Sequence, residues 1–323
     1  METAREFRQF ADRIGEEQLS KRLMLQASHW ARLKGQGKGV FKLERFISIA
    51  DLTRYGLKAC LLWKRAHHNV FDIEVTEQHW RLNNLPKNFD GFKLLQISDL
   101  HIDIADGLNV RIADVIRKTP HDAIVMTGDY RDSTDSNYKP SVELMKRVID
   151  ASDAPKYGIL GNHDFIEMVW DLEAQGLPIL LNEAISIKRS EQKLWICGVD
   201  DPHFYKTHDF QAARAQIPKG ACKILLCHSP EVHEKATFYG FDLMLSGHTH
   251  GGQICLPGGR HVILPSKGLE KRFVKGAWKS GQMLGYTSRG TGSCGVAARL
   301  NCRPEMTVHH LNCVKNPDEE FAE

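Results

Sequence analysis

The chain has 323 residues, 42% of them hydrophobic and 26% charged, with a formal net charge of only +3. This composition excludes a disordered, collagen-like or membrane-embedded chain and suits one substantial catalytic domain plus an extension, while the near-neutral balance argues against a processive nucleic-acid binder. Eight scattered cysteines form no Cys-x-x-Cys pair and read as buried, reduced thiols of a reducing compartment.

Met1-Glu2-Thr3-Ala4-Arg5-Glu6 opens a charged helical pattern rather than a secretory signal. No run reaches the roughly 18 apolar residues that span a bilayer, so a cytoplasmic location is expected. Between residues 28 and 65 nine Lys or Arg stand against two acids, interleaved with Trp30, Phe41, Phe46, Leu52, Tyr55, Leu61 and Trp63. Such a stretch reads either as a helix lying in an anionic membrane surface, peripheral to the inner membrane, or as an arm docked on the catalytic domain or on a second subunit. Gly35-Gln36-Gly37-Lys38-Gly39 is expected to link two helices. The basic helical extension is placed at 1–68, the catalytic domain at 69–315 and an acidic tail at 316–323.

Val70 to Val75 alternates as a half-exposed edge strand should. Short apolar segments at 93–97, 123–126, 157–160 and 223–227 have strand length and end in Gly, Asn, Asp or Ser. Helical patterns at 107–118, 141–151, 165–175 and 208–216 alternate with them, and strands at 241–246, 261–264, 282–287 and 305–311 dominate the end. This order fits an α/β fold, a two-sheet β-sandwich flanked by helices.

The ends of those strands carry the chemistry: Asp99-Leu100-His101, Gly128-Asp129, Gly161-Asn162-His163-Asp164, His228 and Gly247-His248-Thr249-His250. Carboxylates and imidazoles without thiolate suit Mn, Fe, Zn or Mg, with Mn the leading expectation. Seven such ligands are too many for one tetrahedral ion and about right for two ions sharing a carboxylate, a pair able to clamp a phosphate and activate water. Ligands at the carboxyl ends of buried strands converge on one crevice, and Gly128, Gly161 and Gly247 are expected to permit sharp turns there. Each block alone is an ordinary turn; the ordered set of five is the signal.

With these blocks on view, the chain resembles the calcineurin-like metallophosphoesterase superfamily, over roughly residues 92 to 312. Its motif order Asp-x-His, Gly-Asp-x-x-(Asp/Asn), Gly-Asn-His-(Asp/Glu), His, Gly-His-x-His is met without a gap. Cys227-His228-Ser229-Pro230-Glu231, Gly251-Gly252-Gln253, Ser288-Arg289-Gly290-Thr291-Gly292 and Cys302-Arg303-Pro304-Glu305 resemble a bacterial phosphodiesterase-like subgroup. The resemblance implies a four-layer αββα fold and two divalent ions. Asp99, His101 and His250 would hold the first ion, Asp129 would bridge, and Asn162, His228 and His248 would hold the second. It also implies that His163 donates to the leaving group and that Asp164 fixes the His163 ring by accepting from its other nitrogen, as a donor whose tautomer must be set requires.

Substrate contacts are less determined by sequence. Arg131 reads either as a bidentate partner for a second phosphate or as half of a structural pair with Asp132. Lys267, Lys271, Arg272 and Arg289 read as the lining of an anionic pocket or as solvated loop charges. The leading substrate is a phosphodiester or pyrophosphate of a lipid-linked nucleotide such as UDP-2,3-diacylglucosamine, which relatives in the superfamily cleave. The alternatives are a soluble diester (cyclic nucleotide or nucleic acid strand) and a non-catalytic metal-binding scaffold.

Overall fold

The computed structural model describes residues 2–33, 49–134, 137–261 and 268–314. The expected Gly35–Gly39 linker, Lys267 and the acidic tail lie outside the described residues. Helices α1 (Glu2–Ile14), α2 (Glu16–Leu33), α3 (Ile49–Ala59) and α4 (Trp63–His68) precede the first strand. In chain order the strands are β1 (Glu74–Leu82), β2 (Phe92–Ile97), β3 (Ala123–Met126), β4 (Lys156–Gly158), β5 (Glu183–Arg189), β6 (Gln192–Gly198), β7 (Lys223–Leu226), β8 (Leu243–Ser246), β9 (Cys255–Leu256), β10 (Arg260–His261), β11 (Gly276–Ser280), β12 (Met283–Thr287) and β13 (Glu305–Cys313). Helices α5 (Leu108–Lys118), α6 (Lys139–Ile149) and α7 (Met168–Ala174) connect the early strands, and α8 (Phe210–Arg214) and α9 (His233–Phe238) the later ones.

One sheet has the order β1-β13-β2-β3-β4 and the other β11-β12-β8-β7-β6-β5. Their facing sides share a core in which Phe92, Leu94, Val125 and Leu311 of the first sheet meet Leu194, Ile224, Leu226 and Leu245 of the second. The outer face of the first sheet is covered by α5, α6 and α7 through Ile112, Ile116, Met145 and Leu172, and the outer face of the second by Phe210 and Ala236. Helix, sheet, sheet, helix is the expected layering, and it follows from strands apolar on both faces, which must be covered on both.

Two details differ from the sequence expectation. The stretch 70–75 is not a strand throughout: residues 69–71 form a 3-10 turn and β1 begins at Glu74. Val70 and Ile73, three apart, are both buried in the helix-side core, a helical spacing rather than an alternating one. The β5–β6 hairpin was not anticipated.

The N-terminal helices dock on the domain. Phe10 stacks on Trp170 at 4.5 Å, and Arg13 bonds Glu183 at 2.9 Å and the Ile179 carbonyl at 2.7 Å. Fully buried Arg22 pairs with equally buried Asp200, donates to the Asp164 carbonyl at 2.8 Å and lies 4.0 Å over the Tyr205 ring. Helices α3 and α4 rest on a different flank, where Leu57 and Ala66 pack with Val296, Ala298 and Leu300. Among the described residues no helix is long and apolar enough to cross a membrane.

Candidate metal centre

Parallel pairing sets the strand ends side by side: Ile97 lies opposite Met126, Met126 opposite Gly158, and Leu226 opposite Leu245. The loops that follow therefore emerge together at one rim of the sandwich, the position at which α/β sheets gather ligands. Asp99 and His101 follow β2, Asp129 follows β3, Asn162 and His163 follow β4, His228 follows β7, and His248 and His250 follow β8.

The backbone turns hard at these points. Asp99, His101, Asp129, His248 and His250 all have left-handed φ values, between 39° and 71°. Each such conformation costs a non-glycine residue roughly 1–3 kcal/mol and persists only where the surroundings over-determine it. They do so here through bonds between loops: Asp99 N to the Gly128 carbonyl (3.0 Å), His101 N to the Asp129 carbonyl (3.1 Å), Gly292 N to the Asp99 carbonyl (2.9 Å) and His248 N to Asp99 Oδ1 (2.9 Å). Of the three glycines, Gly128 takes the expected left-handed turn at φ +89°, whereas a Cβ at Gly247 would collide with the Ser98 and Asp99 side chains. Gly247 is needed for room, not for rotation.

Two ligand groups result, Asp99/His101/His250 and Asp129/His228/His248, all buried. His101 Nε2 lies 3.2 Å from His250 Nε2, and His250 Nε2 lies 3.5 Å from Asp99 Oδ1. On the other side Asn162 Oδ1 is 3.0 Å from His228 Nε2 and 2.9 Å from His248 Nδ1. Asp129 Oδ2 reaches both groups, 3.2 Å from His228 Nε2 and 3.7 Å from His101 Nε2.

The donor set fits a cation pair on tautomer grounds. His101 Nδ1 bonds the Arg131 carbonyl at 2.9 Å and His228 Nδ1 the Thr127 carbonyl at 2.8 Å. A carbonyl only accepts, so each Nδ1 carries the proton and each neutral ring offers its Nε2 lone pair to the centre, the form that ligates metal. Charge points the same way. Burial lifts the Asp99 carboxyl to about 6. Burial also opposes protonation of His228, but Asp129 and Asp99 outweigh it and push that imidazole up to about 10. Two buried carboxylates thus favour positive charge at the centre.

His163 sits beside the centre, its ring 4.8 Å edge-on from His101. The expected partnership with Asp164 is not formed. His163 Nδ1 donates to the Asp132 carbonyl at 2.8 Å, and the Asp164 carboxylate instead accepts from the backbone N–H groups of Asp129, Tyr130 and Gly161, at 2.8–2.9 Å. A buried carboxylate at a loop crossing is drawn to backbone donors that have no other partner, so Asp164 pins the Asp129 and Asn162 loops together. The two expected substrate arginines are also engaged elsewhere. Arg131 is fully buried with its guanidinium 4.1 Å over the Phe165 ring, and Arg289 bonds Glu305 at 2.6 Å and Glu74 at 2.8 Å. Asp132 accepts from Gly295 N at 2.7 Å. Arg272 pairs with Glu270 at 3.0 Å, and neither it nor Lys271 lines the cavity.

A cavity of about 530 Å³ opens over the centre, walled by Asp129, Asn162, His248 and His250 and by Ala50, Thr53, Ile254, Cys294 and Val296. No lysine or arginine among the described residues lines it. Sequence reading missed three neighbours. Cys294 Sγ lies 3.7 Å from His163 Nε2. His203 lines the cavity. Buried Arg299 lies under His250, donating to its carbonyl at 3.1 Å. His203 obeys the strand-end rule that marked the ligands, since it follows β6 in Asp200-Asp201-Pro202-His203.

Comparison with known proteins points to one family. The family described as Calcineurin-like phosphoesterase matches residues 92–252. The metallophosphoesterase YkuE of Bacillus subtilis (strain 168) is 32% identical over 74% of this chain and 85% of its own. YkoQ of the same organism is 28% identical over 76% and 93%. Phosphodiesterase YaeI of Escherichia coli (strain K12) is 31% identical over 72% and 86%. With its ordered blocks gathered at one rim and relatives matched across most of their length, the chain belongs to the calcineurin-like metallophosphoesterases and is a metal-dependent phosphoester hydrolase.

Proposed function

We propose that this hydrolase uses a dinuclear centre and cleaves phosphodiesters that carry an apolar substituent. The observation that carries the dinuclear part is the reach of Asp129 Oδ2 to ligands of both groups. Two divalent ions, when bound, supply Lewis acidity at the phosphoryl group and lower the pKa of water. The chain does the rest. Asp99, His101 and His250 would hold one ion and Asn162, His228 and His248 the other, with Asp129 shared between them. His163, with its Nδ1–H committed to the Asp132 carbonyl, would give the leaving oxygen the Nε2 proton of its imidazolium form, which the nearby Asp129 carboxylate favours against burial.

The lining supports the choice of ester. A pyrophosphate such as that of UDP-2,3-diacylglucosamine brings a second phosphate that calls for Arg or Lys, and the described wall offers Ala50, Ile254 and Val296 instead. A singly charged diester needs no such cation, and a lipid chain suits that wall, which favours the lipid part of the sequence expectation over its pyrophosphate part. Helix α3 supports encounter at the cytoplasmic face of an anionic membrane. Ala50 and Thr53 face the cavity and Leu57 the core, while Leu52 and Tyr55 are more than 60% exposed beside exposed Arg54 and Lys58.

The test is turnover of a chromogenic diester by protein loaded with Mn. Chelation should abolish it, and His163→Gln should lower kcat by about 10² while both ions remain bound. Wild-type turnover indifferent to both treatments would remove the reading.

A further inference from the structure

A second set of metal-type side chains lies away from the strand-end rim, at one edge of the first sheet. Strand β1 forms that edge and pairs in parallel with β13, in a register that sets His79 directly opposite His310 and Glu77 opposite Val308. Residues opposite one another, or two apart on one strand, point to the same face of a sheet. One face of this strand pair therefore carries a carboxylate and two imidazoles, and the three ligand atoms they offer lie within 4.8 Å of one another. The two rings stack with centroids 4.4 Å apart and 17° between their planes, and Glu77 Oε2 is 3.5 Å from His310 Nε2. That Nε2 is buried and has no hydrogen-bond partner among the described residues. Buried polar atoms are normally paired, so an orphan of this kind points to a ligand that the protein's own atoms do not supply. Burial and then the facing His79 ring lower the His310 imidazole from its ordinary value, against the pull of Glu77, which keeps a lone pair on the ring at neutral pH.

The surroundings select the kind of ion. Glu77 and His310 also line a cleft of about 450 Å³ that α5 closes on its far side, and Lys93, Arg111 and Lys118 line it with them. Three cations so placed disfavour any ion held by charge alone. Hard ions such as Mg, Ca and Mn take oxygen ligands and depend on carboxylates, of which this cluster has one. Two imidazoles and a carboxylate suit Zn, Cu(II) or Ni instead. A tetrahedral Zn with bonds of about 2.0–2.1 Å holds its ligand atoms roughly 3.3 Å apart. Glu77 and His310 already stand near that separation, and exposed His79 closes the set by a small rotation of its side chain.

We infer that Glu77, His79 and His310 form a separate binding site for a transition ion of the Zn class, which clasps the edge strand β1 to β13. None of the three belongs to the strand-end ligand groups or lines the cavity above them, so the site stands independently of the hydrolytic reading. An ion that binds the folded chain and not the unfolded one stabilises it by mass action. The consequence is a melting temperature that rises with Zn through these three residues.

The test titrates Zn into the full chain in excess Mn, for wild type, His79→Ala and Glu77→Gln. Both substituted positions are exposed, so the variants keep the fold. Ion content is read by native mass spectrometry, Zn affinity by calorimetry and stability by thermal melting. Zn that exchanges into the strand-end centre does so in all three proteins and cancels in the difference. Wild type should hold one Zn more than His79→Ala, with a Kd below about 100 μM. Loss of the imidazole should weaken that step at least about 10-fold, and Glu77→Gln should weaken it about 3- to 10-fold, because the amide keeps an oxygen but not the charge. Saturating Zn should raise the melting temperature of wild type about 5 °C more than that of His79→Ala. Diester turnover with Mn alone should stay within about twofold of wild type in both variants, since neither residue touches the rim. Equal Zn content and affinity in wild type and His79→Ala would overturn the inference. So would a wild-type Kd above about 100 μM, the mark of an adventitious surface contact only, or an extra ion in wild type that is Mn rather than Zn.

Discussion

The strand-end rim and the N-terminal helices are both buried and both rich in charge, but they bury charge for opposite reasons. At α2, Arg22 and Asp200 neutralise each other, and both Asp200 carboxylate oxygens are taken up within the protein. At the rim, Asp99 and Asp129 lie buried with no lysine or arginine at ion-pair distance among the described residues, and their ion-pair partners are imidazoles. A closed ion pair holds an arm in place; an open acid cluster is unfinished until cations arrive. The contrast predicts that mutations at the rim strike function while mutations at the arm strike stability.

The largest effect is expected at Asp129. Asp129→Asn removes the one carboxylate that reaches both ligand groups, and activity should fall roughly 10³-fold, the equivalent of the several kcal/mol that a second ion's charge supplies. Bound metal should drop from two ions per chain towards one. An active Asp129→Asn protein holding two ions would break the distinction. The arm gives the next largest effect. Arg22→Ala strands Asp200 in the interior, and breaking a buried pair costs about 3–5 kcal/mol. Denaturant unfolding should register that loss, while the diester kcat of the folded fraction stays within a few-fold of wild type.

The same contrast explains what sequence reading could and could not see. Residue types are dictated by chemistry, so the proposed ligands Asp99, His101, Asp129, Asn162, His228, His248 and His250 were legible as types at strand ends, and the two-sheet architecture followed from apolar runs of strand length. Asp164 was misread because its neighbour in sequence, His163, is not its neighbour in bonding: the backbone at a loop crossing captured the carboxylate. Arg131 and Arg289 were misread because a cation next to a motif says nothing about whether Phe165 or Glu305 will claim it first. The arm was ambiguous for a related reason. An amphipathic helix announces that it has an apolar face but not what covers it, and within residues 28–65 it is Leu57, packed with Val296 and Leu300, that docks the inner face of α3.

A smaller effect separates the metal-free from the loaded rim. Burial raises Asp99 in the folded chain to about 6, above roughly 3.9 when unfolded. A raised carboxyl contributes stability that is full below the unfolded value and lost as pH rises through the folded one. Metal-free wild type should therefore lose about 2–3 kcal/mol between pH 4 and pH 7 from this group, and metal-free Asp99→Asn should melt above wild type at pH 8 but not at pH 4. Mn should reverse the order at pH 8. Equal melting of the two metal-free proteins at both pH values would mean that the carboxylate is already satisfied inside the chain.

The smallest effect concerns α3, where the two regimes meet on one helix. Its inner residues, Ala50, Thr53 and Leu57, recur at helical spacing and close the cavity and the satellite core. Leu52 and Tyr55 share the outer face at i and i+3, 64% and 62% exposed, and Leu61 beyond the helix is 90% exposed. Apolar side chains kept in water on a basic helix at the cavity wall are what an interfacial anchor requires, with about 1 kcal/mol from each nearby Lys or Arg at an anionic surface and a similar sum from each apolar group inserted. Replacing Leu52 and Tyr55 by serine should weaken flotation with anionic vesicles roughly 10-fold, leave neutral vesicles unaffected and leave turnover of a soluble diester unchanged, because neither side chain lines the cavity. If the double variant floats like wild type, α3 is a wall of the active site and nothing more, and the substrate comes to the enzyme through water.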